Sequence, residues 1–464
     1  MGNAALVLQG HVWGNSMRRL QGLKIAALML CGVLLVLLFS RFAVQGIFLP
    51  IRVIGASMAE TFWGPHYTIC CKNCQFCFVV DATTVPPQRF TNCPNCGAQN
   101  EHKTNERVVA GDRLLVDRMS YQFRDPCRWE PILFRSTDPP IAHCLKRVVG
   151  LPNENVSIAD GDIWIDEERL KKDWSTIDSL ALVVHDARYL SQQPRSPPRW
   201  RPQHDQTQWK KNAQGNQGFE YFPLTQSTDQ VAPIDWVVYE NVDFHHGRLR
   251  VTNQITDNYA YNQTLSRKLY WTDDLILSAN IQCFGSGSLF FQVGTCRLQI
   301  NCSQGLGILQ ASGREVATFH CKTKKLRAPV RIEVASVDRQ FFFVIDGEAI
   351  FSCDLEAQPA QPIAHATKVS TEPAGSSGEL LDARLAVGSH SLRVTVDDFL
   401  VRRDIYYTPD IQGIRASRAG DYHLGKEEFF VLGDNSPISL DSRRNMDEAI
   451  VRRADVLGRV WRWR

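Results

Sequence analysis

An unbroken apolar run near the N-terminus sets the first limit on this chain. Residues Ile25 to Phe39 carry no charge, and Arg18, Arg19 and Lys24 precede them. A run of 15 such residues with cations on one side reads as a membrane anchor. It is shorter than the roughly 20 residues that span a bilayer comfortably. Snorkelling of Arg41 and an apolar extension from Phe42 to Leu49 make up the difference. The expected anchor is 25–48, with 1–24 in the cytoplasm and the remainder outside. A cleaved signal peptide is the main rival, but no clear small-x-small site followed by a polar mature start is present. A buried core helix is the other.

At 464 residues there is length for two or three domains beyond the anchor. A formal net charge of +3 argues against a nucleic-acid partner, which would select a basic patch. Residues 49–61 hold a short stretch, VIGASMAETF, just past the anchor. Residues 62–106 are Cys-rich and read as a small insert. Residues 107–172 alternate apolar and polar positions with turns at Pro-Asn and Asp-Gly, the pattern of short strands. The stretch 173–405 opens with a Pro-, Gln- and Arg-rich segment, SQQPRSPPRWRPQHDQTQWKKNAQGNQG, which reads as a long loop. Beyond Tyr270 it becomes strand-like, and Asp346-Gly347 between FFFVI and EAIF is a hairpin signal. Many short strands with regular turns suggest a β-sandwich. Residues 406–464 return to mixed turns and strands and end in RVWRWR, either an interfacial Trp-Arg segment or, preferably, a last strand. The fold class expected is mainly β: an N-terminal transmembrane helix, a β domain in three sequence blocks, and an inserted sandwich.

Two CxxC pairs, Cys71-x-x-Cys74 and Cys93-x-x-Cys96, mark the Cys-rich insert. Each knuckle offers two thiolates to one tetrahedral ion, so a structural zinc ribbon is the favoured reading, with Pro94 and Gly97 suited to the turn. Cys70 and Cys77 are extra. An oxidising exterior keeps disulfides open as the rival, with redox chemistry a distant third.

Ser57 sits in the short stretch after the anchor. A serine hydroxyl is a weak nucleophile unless a base takes its proton. His66, His102 and His143 lie in no familiar triad context. Lys146, in HCLKRVVGLP, is the better base: it lies among Leu145, Val148 and Val149 on an expected strand, where burial would lower its pKa. Alternation puts Lys146 on one face with Cys144 and Val148, and Arg147 on the other.

The combination of ASMAET, GDRLLVDRMSY, LKRVVGLPNENVSIADGDIWID and GDNSPISLDSR, in that order after a span, closely resembles bacterial type I signal peptidase. This is a membrane-bound Ser-Lys endopeptidase family. The resemblance covers blocks 41–61, 107–172 and 421–464. It implies that Ser57 is the nucleophile and Lys146 the general base, with no cofactor for catalysis. It implies that Ser439, in Gly433-Asp434-Asn435-x-x-x-Ser439-x-Asp441-Ser442-Arg443, hydrogen-bonds the lysine amine. It also implies that Asp441 pairs with Arg443 or Arg147 and braces the site. The implied substrates are signal peptides of exported preproteins, with small residues at the first and third positions before the cut. The implied location is the bacterial cytoplasmic membrane, with the lipid bilayer and the secretion machinery as partners. Four positions or triplets depart from the family pattern. Glu60 stands where proline is usual, Gly55 where some members carry an oxyanion-hole serine, and Arg128-Trp129-Glu130 and Pro152-Asn153-Glu154 replace Arg-Gly-Asp and Pro-Gly-Asp.

The strand pairs of 173–405 weakly resemble concanavalin-like jelly rolls, which implies a glycan ligand. A structural sandwich or protein-docking module is at least as well supported. The alternative function is therefore a membrane-anchored binding protein on a decayed peptidase. A self-cleaving repressor-type regulator is disfavoured by the span and by the lack of a DNA-binding module.

Overall fold

The structure, a computed structural model, describes residues 22–40, 46–83, 90–101, 107–136, 143–192, 197–212, 218–223, 234–245, 248–263, 265–356, 383–408, 410–411, 414–415, 422–443 and 450–462. Arg18, Arg19, Arg41, Phe42, His102, Trp463 and Arg464, which entered the sequence reading, lie outside the described residues.

Gly22–Ser40 forms a helix of 19 residues, long and apolar enough to cross a membrane. At 1.5 Å per residue it measures about 28 Å, close to the hydrocarbon thickness of a bilayer. None of it is buried in the protein, which rules out the core-helix reading.

The three blocks around the insertions assemble one seven-stranded sheet. Its strands are β1 (Phe48–Arg52), β2 (Arg113–Asp117), β3 (Pro131–Arg135), β4 (His143–Gly150), β5 (Glu428–Leu432), β6 (Val451–Arg452) and β7 (Val456–Arg462). They lie in the order β1-β2-β7-β3-β4-β5-β6, every neighbouring pair antiparallel. Alternation along these strands builds two apolar clusters. One holds Val53, Met58, Phe62, Leu114, Val116, Leu133 and Val460. The other holds Tyr121, Ile132, Val148, Phe429, Val431 and Val451. Arg459–Arg462 belongs to β7, as the last-strand reading expects, with Arg459 stacked 3.9 Å from the Trp461 ring.

The insert is a two-sheet sandwich. The long strands Leu275–Phe284 and Arg393–Arg403 pair side by side in an eight-stranded sheet. The opposing seven-stranded sheet is centred on Leu385–His390 and Ser288–Val293. Between them runs the largest apolar cluster, including Leu277, Phe291, Phe343, Val387 and Phe399. The Asp346-Gly347 hairpin forms between Gln340–Ile345 and Glu348–Asp354, both turn residues at positive φ (50° and 81°). The opening segment of the insert is not one long loop. It contains the strands Trp200–Pro202 and Trp209–Lys211, because Trp200 and Trp209 each bury an indole in the sandwich core.

Candidate active site and metal centre

Ser57 is carried on a tight turn directly after β1. The turn closes through Phe62 N–H to the Met58 carbonyl (2.8 Å) and Ala59 N–H to the Ala56 carbonyl (3.2 Å). Met58, 1% exposed, plugs the apolar cluster of the seven-stranded sheet and so fixes the rotation of the turn. Asn435 holds the same turn from the opposite side. Its backbone N–H donates to the Ser57 carbonyl (3.0 Å) and its Nδ2 donates to the Ala56 carbonyl (3.1 Å).

Lys146 lies in mid-β4 opposite Ile132 of β3 and is 5% exposed. On its other side Leu432 of β5 pairs with Arg147, so the next residue, Gly433, comes level with Lys146. Gly433 is the meeting point of the site. A Cβ built on it would lie 2.2 Å from Ser439 Oγ and 2.4 Å from the Ser57 carbonyl oxygen. Ser57, Lys146 and Ser439, far apart in sequence, therefore converge on one backbone position that must lack a side chain. Burial pushes the Lys146 amine down from its ordinary value. The Asp441 charge opposes this, Cys144 and Asp434 oppose it less, and Arg443 reinforces it.

The expected hydrogen bond from Ser439 to the lysine amine is not formed. Ser439 Oγ is buried with no hydrogen-bond partner among the described residues. Its backbone N–H closes a turn onto the Asn435 carbonyl (3.1 Å), which fixes the residue without engaging its hydroxyl. Catalytic hydrogen bonds in ligand-free enzymes are often long and tighten only on substrate.

The two arginines sort themselves between two acids. Asp441 pairs with Arg443 at 2.8 and 2.7 Å and also accepts from Gly433 N–H at 3.0 Å. Arg147 is not its partner. Strand alternation turns Arg147 away from Lys146, toward Asp434, which it grips with two bonds of 2.7 and 2.6 Å. Both pairs are buried, and each ties a residue of the Gly433–Arg443 loop in place.

Three residues of the sandwich insert also belong to this scaffold. Asn262 exchanges amide hydrogen bonds with Asn435, donating at 2.5 Å and accepting at 2.9 Å. Tyr259 Oη donates to the Asp434 carbonyl (3.1 Å). Tyr261 packs on Ala56 and Ala59 of the nucleophile turn. No motif marks these residues in the sequence; only the fold brings them to Asn435.

The residues that depart from the family pattern have distinct surroundings. At Gly55 an added Cβ would meet nothing within 4 Å. The Glu60 carboxyl is pushed up to about 7 by burial, with Arg403 opposing the shift.

In the Cys-rich insert two hairpins, His66–Cys70 with Cys77–Asp81 and Phe90–Asn92 with Gln99–Glu101, bring Cys71, Cys74, Cys93 and Cys96 within 4.8 Å of one another. The knuckles match. Gln75 N–H returns to the Cys71 carbonyl and Gly97 N–H to the Cys93 carbonyl, and both residues have positive φ (65° and 76°). The Cys71–Cys96 and Cys74–Cys93 sulfurs are each 3.6 Å apart. A tetrahedral ion with bonds of about 2.3 Å sets sulfurs about 3.8 Å apart, whereas a disulfide needs about 2.05 Å. Asn73 and Asn100 amides donate to the Cys96 and Cys71 sulfurs, the outer contacts that thiolate ligands attract. The four cysteines thus fit a closed structural metal site. Cys70 and Cys77 stand apart from it, joined in a disulfide across the first hairpin.

The family described as Signal peptidase, peptidase S26 matches residues 98–236, which include the Lys146 strand. A probable signal peptidase I-2 of Synechocystis is 32% identical over 68 residues, 14% of this chain and 31% of that protein. A signal peptidase I of Leptolyngbya laminosa is 34% identical over 74 residues, 14% and 36% of the two chains. The chain thus matches about a third of the length of these curated relatives and is similar to them over that stretch. Among solved structures, the exoplasmic/lumenal domain of VIP36 in a Ca2+/Man2-bound form has a TM-score of 0.27 at 9% identity. That match covers 48% of this chain and 87% of the other, and it carries no argument about the insert.

Proposed function

We propose that this relative of the type I signal peptidases is a membrane-anchored serine endopeptidase that cleaves signal peptides from exported preproteins through Ser57 and Lys146. One observation carries the reading: a buried, pKa-lowered lysine lies level with Gly433, where the Ser57 turn and Ser439 converge. Neutral Lys146 takes the proton from Ser57 Oγ, which attacks the carbonyl carbon of the scissile bond. The oxyanion is held by the Ser57 backbone N–H, since Gly55 supplies no hydroxyl. The lysine ammonium then protonates the leaving amine, and Lys146 deprotonates the water that hydrolyses the acyl-enzyme. Ser439 Oγ, free of other partners, accepts from the ammonium as it forms. Asp441 with Arg443 and Asp434 with Arg147 hold the loop that carries it.

In this reading the helix Gly22–Ser40 anchors the enzyme in the bacterial cytoplasmic membrane with its N-terminus inside, so that the site meets substrates emerging from the secretion machinery. The four cysteines hold a structural zinc and take no part in the chemistry, because four thiolates leave no open coordination position. The test is cleavage of a preprotein bearing an Ala-x-Ala site by the full chain in detergent. Wild type should cleave it and both Ser57→Ala and Lys146→Ala should not. Cleavage that persists in both variants would overturn the dyad. Failure to cleave any preprotein would favour a membrane-anchored binding protein.

A further inference from the structure

A cavity of about 390 Å3 opens where the nucleophile turn, the second cysteine knuckle and the sandwich insert meet. Glu60, three residues past Ser57, forms one wall; Asn92, Asn258, Asn262, Gln263 and Arg403 are among the others. Its size falls in the range of ligand sites. Two of its groups lack the partners that buried charges ordinarily have. Arg403 is 2% exposed and has no carboxylate within ion-pair distance among the described residues. Its guanidinium donates only to the Asp404 and Asn258 carbonyls (2.8 Å each) and lies 4.8 Å from the Tyr259 ring, so three of its five N–H donors are uncommitted. Asn92 Oδ1 is buried with no hydrogen bond among the described residues, while its backbone pairs with the Gln263 side chain. The Arg403 charge acts on the Glu60 carboxyl, which burial holds toward the neutral form. An acid in that form donates a hydrogen bond to a carboxylate rather than repelling it.

The cavity's distance from the reaction centre is bounded. Three Cα–Cα steps of 3.8 Å place Glu60 within about 11 Å of Ser57. An extended substrate rises about 3.3 Å per residue, so a chain passing Glu60 is at most three or four residues from the bond cleaved. Asn92 Oδ1 can accept from an N–H of such a chain, and the uncommitted guanidinium calls for an anion.

We propose that this cavity is a substrate subsite, within four residues of the scissile bond, that takes an acidic side chain of the polypeptide onto Arg403. The inference rests on the endopeptidase reading, and the experiment separates the two. Full-length Ser57→Ala protein in detergent is titrated with fluorescent peptides spanning a preprotein cleavage site. The peptides differ only in carrying Asp or Asn at each of the four positions on either side of the cut. One of these positions should bind the Asp peptide about 5- to 10-fold more tightly. The preference should vanish in Arg403→Gln and grow in Glu60→Gln, which keeps a neutral donor and removes the residual negative charge. The second variant keeps the test decisive if the first fails to fold. Equal binding of Asp and Asn peptides at all eight positions overturns the proposal, as does a preference that Glu60→Gln leaves unchanged. If wild type cleaves the peptides through Ser57 without any charge preference, the subsite falls and the peptidase stands. If the preference is found but wild type cleaves nothing, the peptidase falls and the subsite stands.

Discussion

Gly433→Ala adds one carbon at the point where the site converges. The new Cβ would sit 2.2 Å from Ser439 Oγ and 2.4 Å from the Ser57 carbonyl oxygen. Non-bonded carbon and oxygen approach to about 3.3 Å, so each neighbour must retreat by about 1 Å. Neither has an easy retreat. The Ser57 carbonyl is backbone, held by Asn435 N–H at 3.0 Å with Met58 locked in the core beside it. Ser439 is wholly buried in a turn closed on Asn435. Overpacking of this kind destabilises by about 1–3 kcal/mol. A displacement of about 1 Å between reacting groups lowers the rate by about 100-fold. Steady-state cleavage of a preprotein peptide, with urea denaturation alongside, should show kcat reduced about 100-fold and KM little changed. The protein should still fold. Wild-type kcat in Gly433→Ala would refute the argument, because Ser57 and Ser439 could not then both abut this backbone.

The remaining predictions address separate features. In the proposed mechanism Lys146 is a neutral base depressed by burial, so kcat/KM should rise with pH and level off below the ordinary lysine value of 10.5. Asp441→Asn removes the charge that most opposes this depression, so the acid limb should move to lower pH; an unmoved limb in pH–rate profiles would count against Lys146 as the base. Asn262→Ala removes both amide bonds to Asn435, a loss of about 1–3 kcal/mol at a buried amide. It should lower kcat more than it raises KM and speed hydrogen exchange in residues 55–61, whereas unchanged exchange would sever the insert from the site. At Gly55 the space for a side chain is open, so Gly55→Ser should fold normally and raise kcat by about 10-fold through an added oxyanion donor; stopped kinetics at wild-type rate would show that the hydroxyl cannot reach. Metal analysis should find about one zinc per chain, and chelation should loosen the hairpins at 66–101 while cleavage of short peptides continues. Loss of all cleavage on chelation would give the metal a larger part than a closed site can play.

Much of the site was legible in the sequence because its chemistry is local. An apolar run with flanking cations needs no partner to declare itself. Lys146 sits in a strand whose own neighbours are apolar, so its burial could be read from alternation, and CxxC spacing holds two ligands whatever surrounds it. The opening of the insert was misread for the opposite reason: Pro- and Gln-rich composition suggests a loop, and only the sandwich supplies the core into which Trp200 and Trp209 turn.

What the fold alone decided are the contacts that join distant segments. Arg147 and Asp434 are 287 residues apart, and Asn262 and Asn435 are 173 apart, so no periodicity or spacing connects them. Ser439 could be named from its motif, but its lack of a hydrogen-bond partner depends on how the turn at Asn435 closes. Likewise the insert looks like an appendage in one dimension. In three, its Tyr259 and Asn262 brace the loop behind Ser57, and its Asn262 and Arg403 wall the cavity beside it. Sequence by itself determined which groups are chemically capable; the tertiary structure decided which of them meet, because burial and hydrogen bonding between remote strands arise only when the sheets close around them.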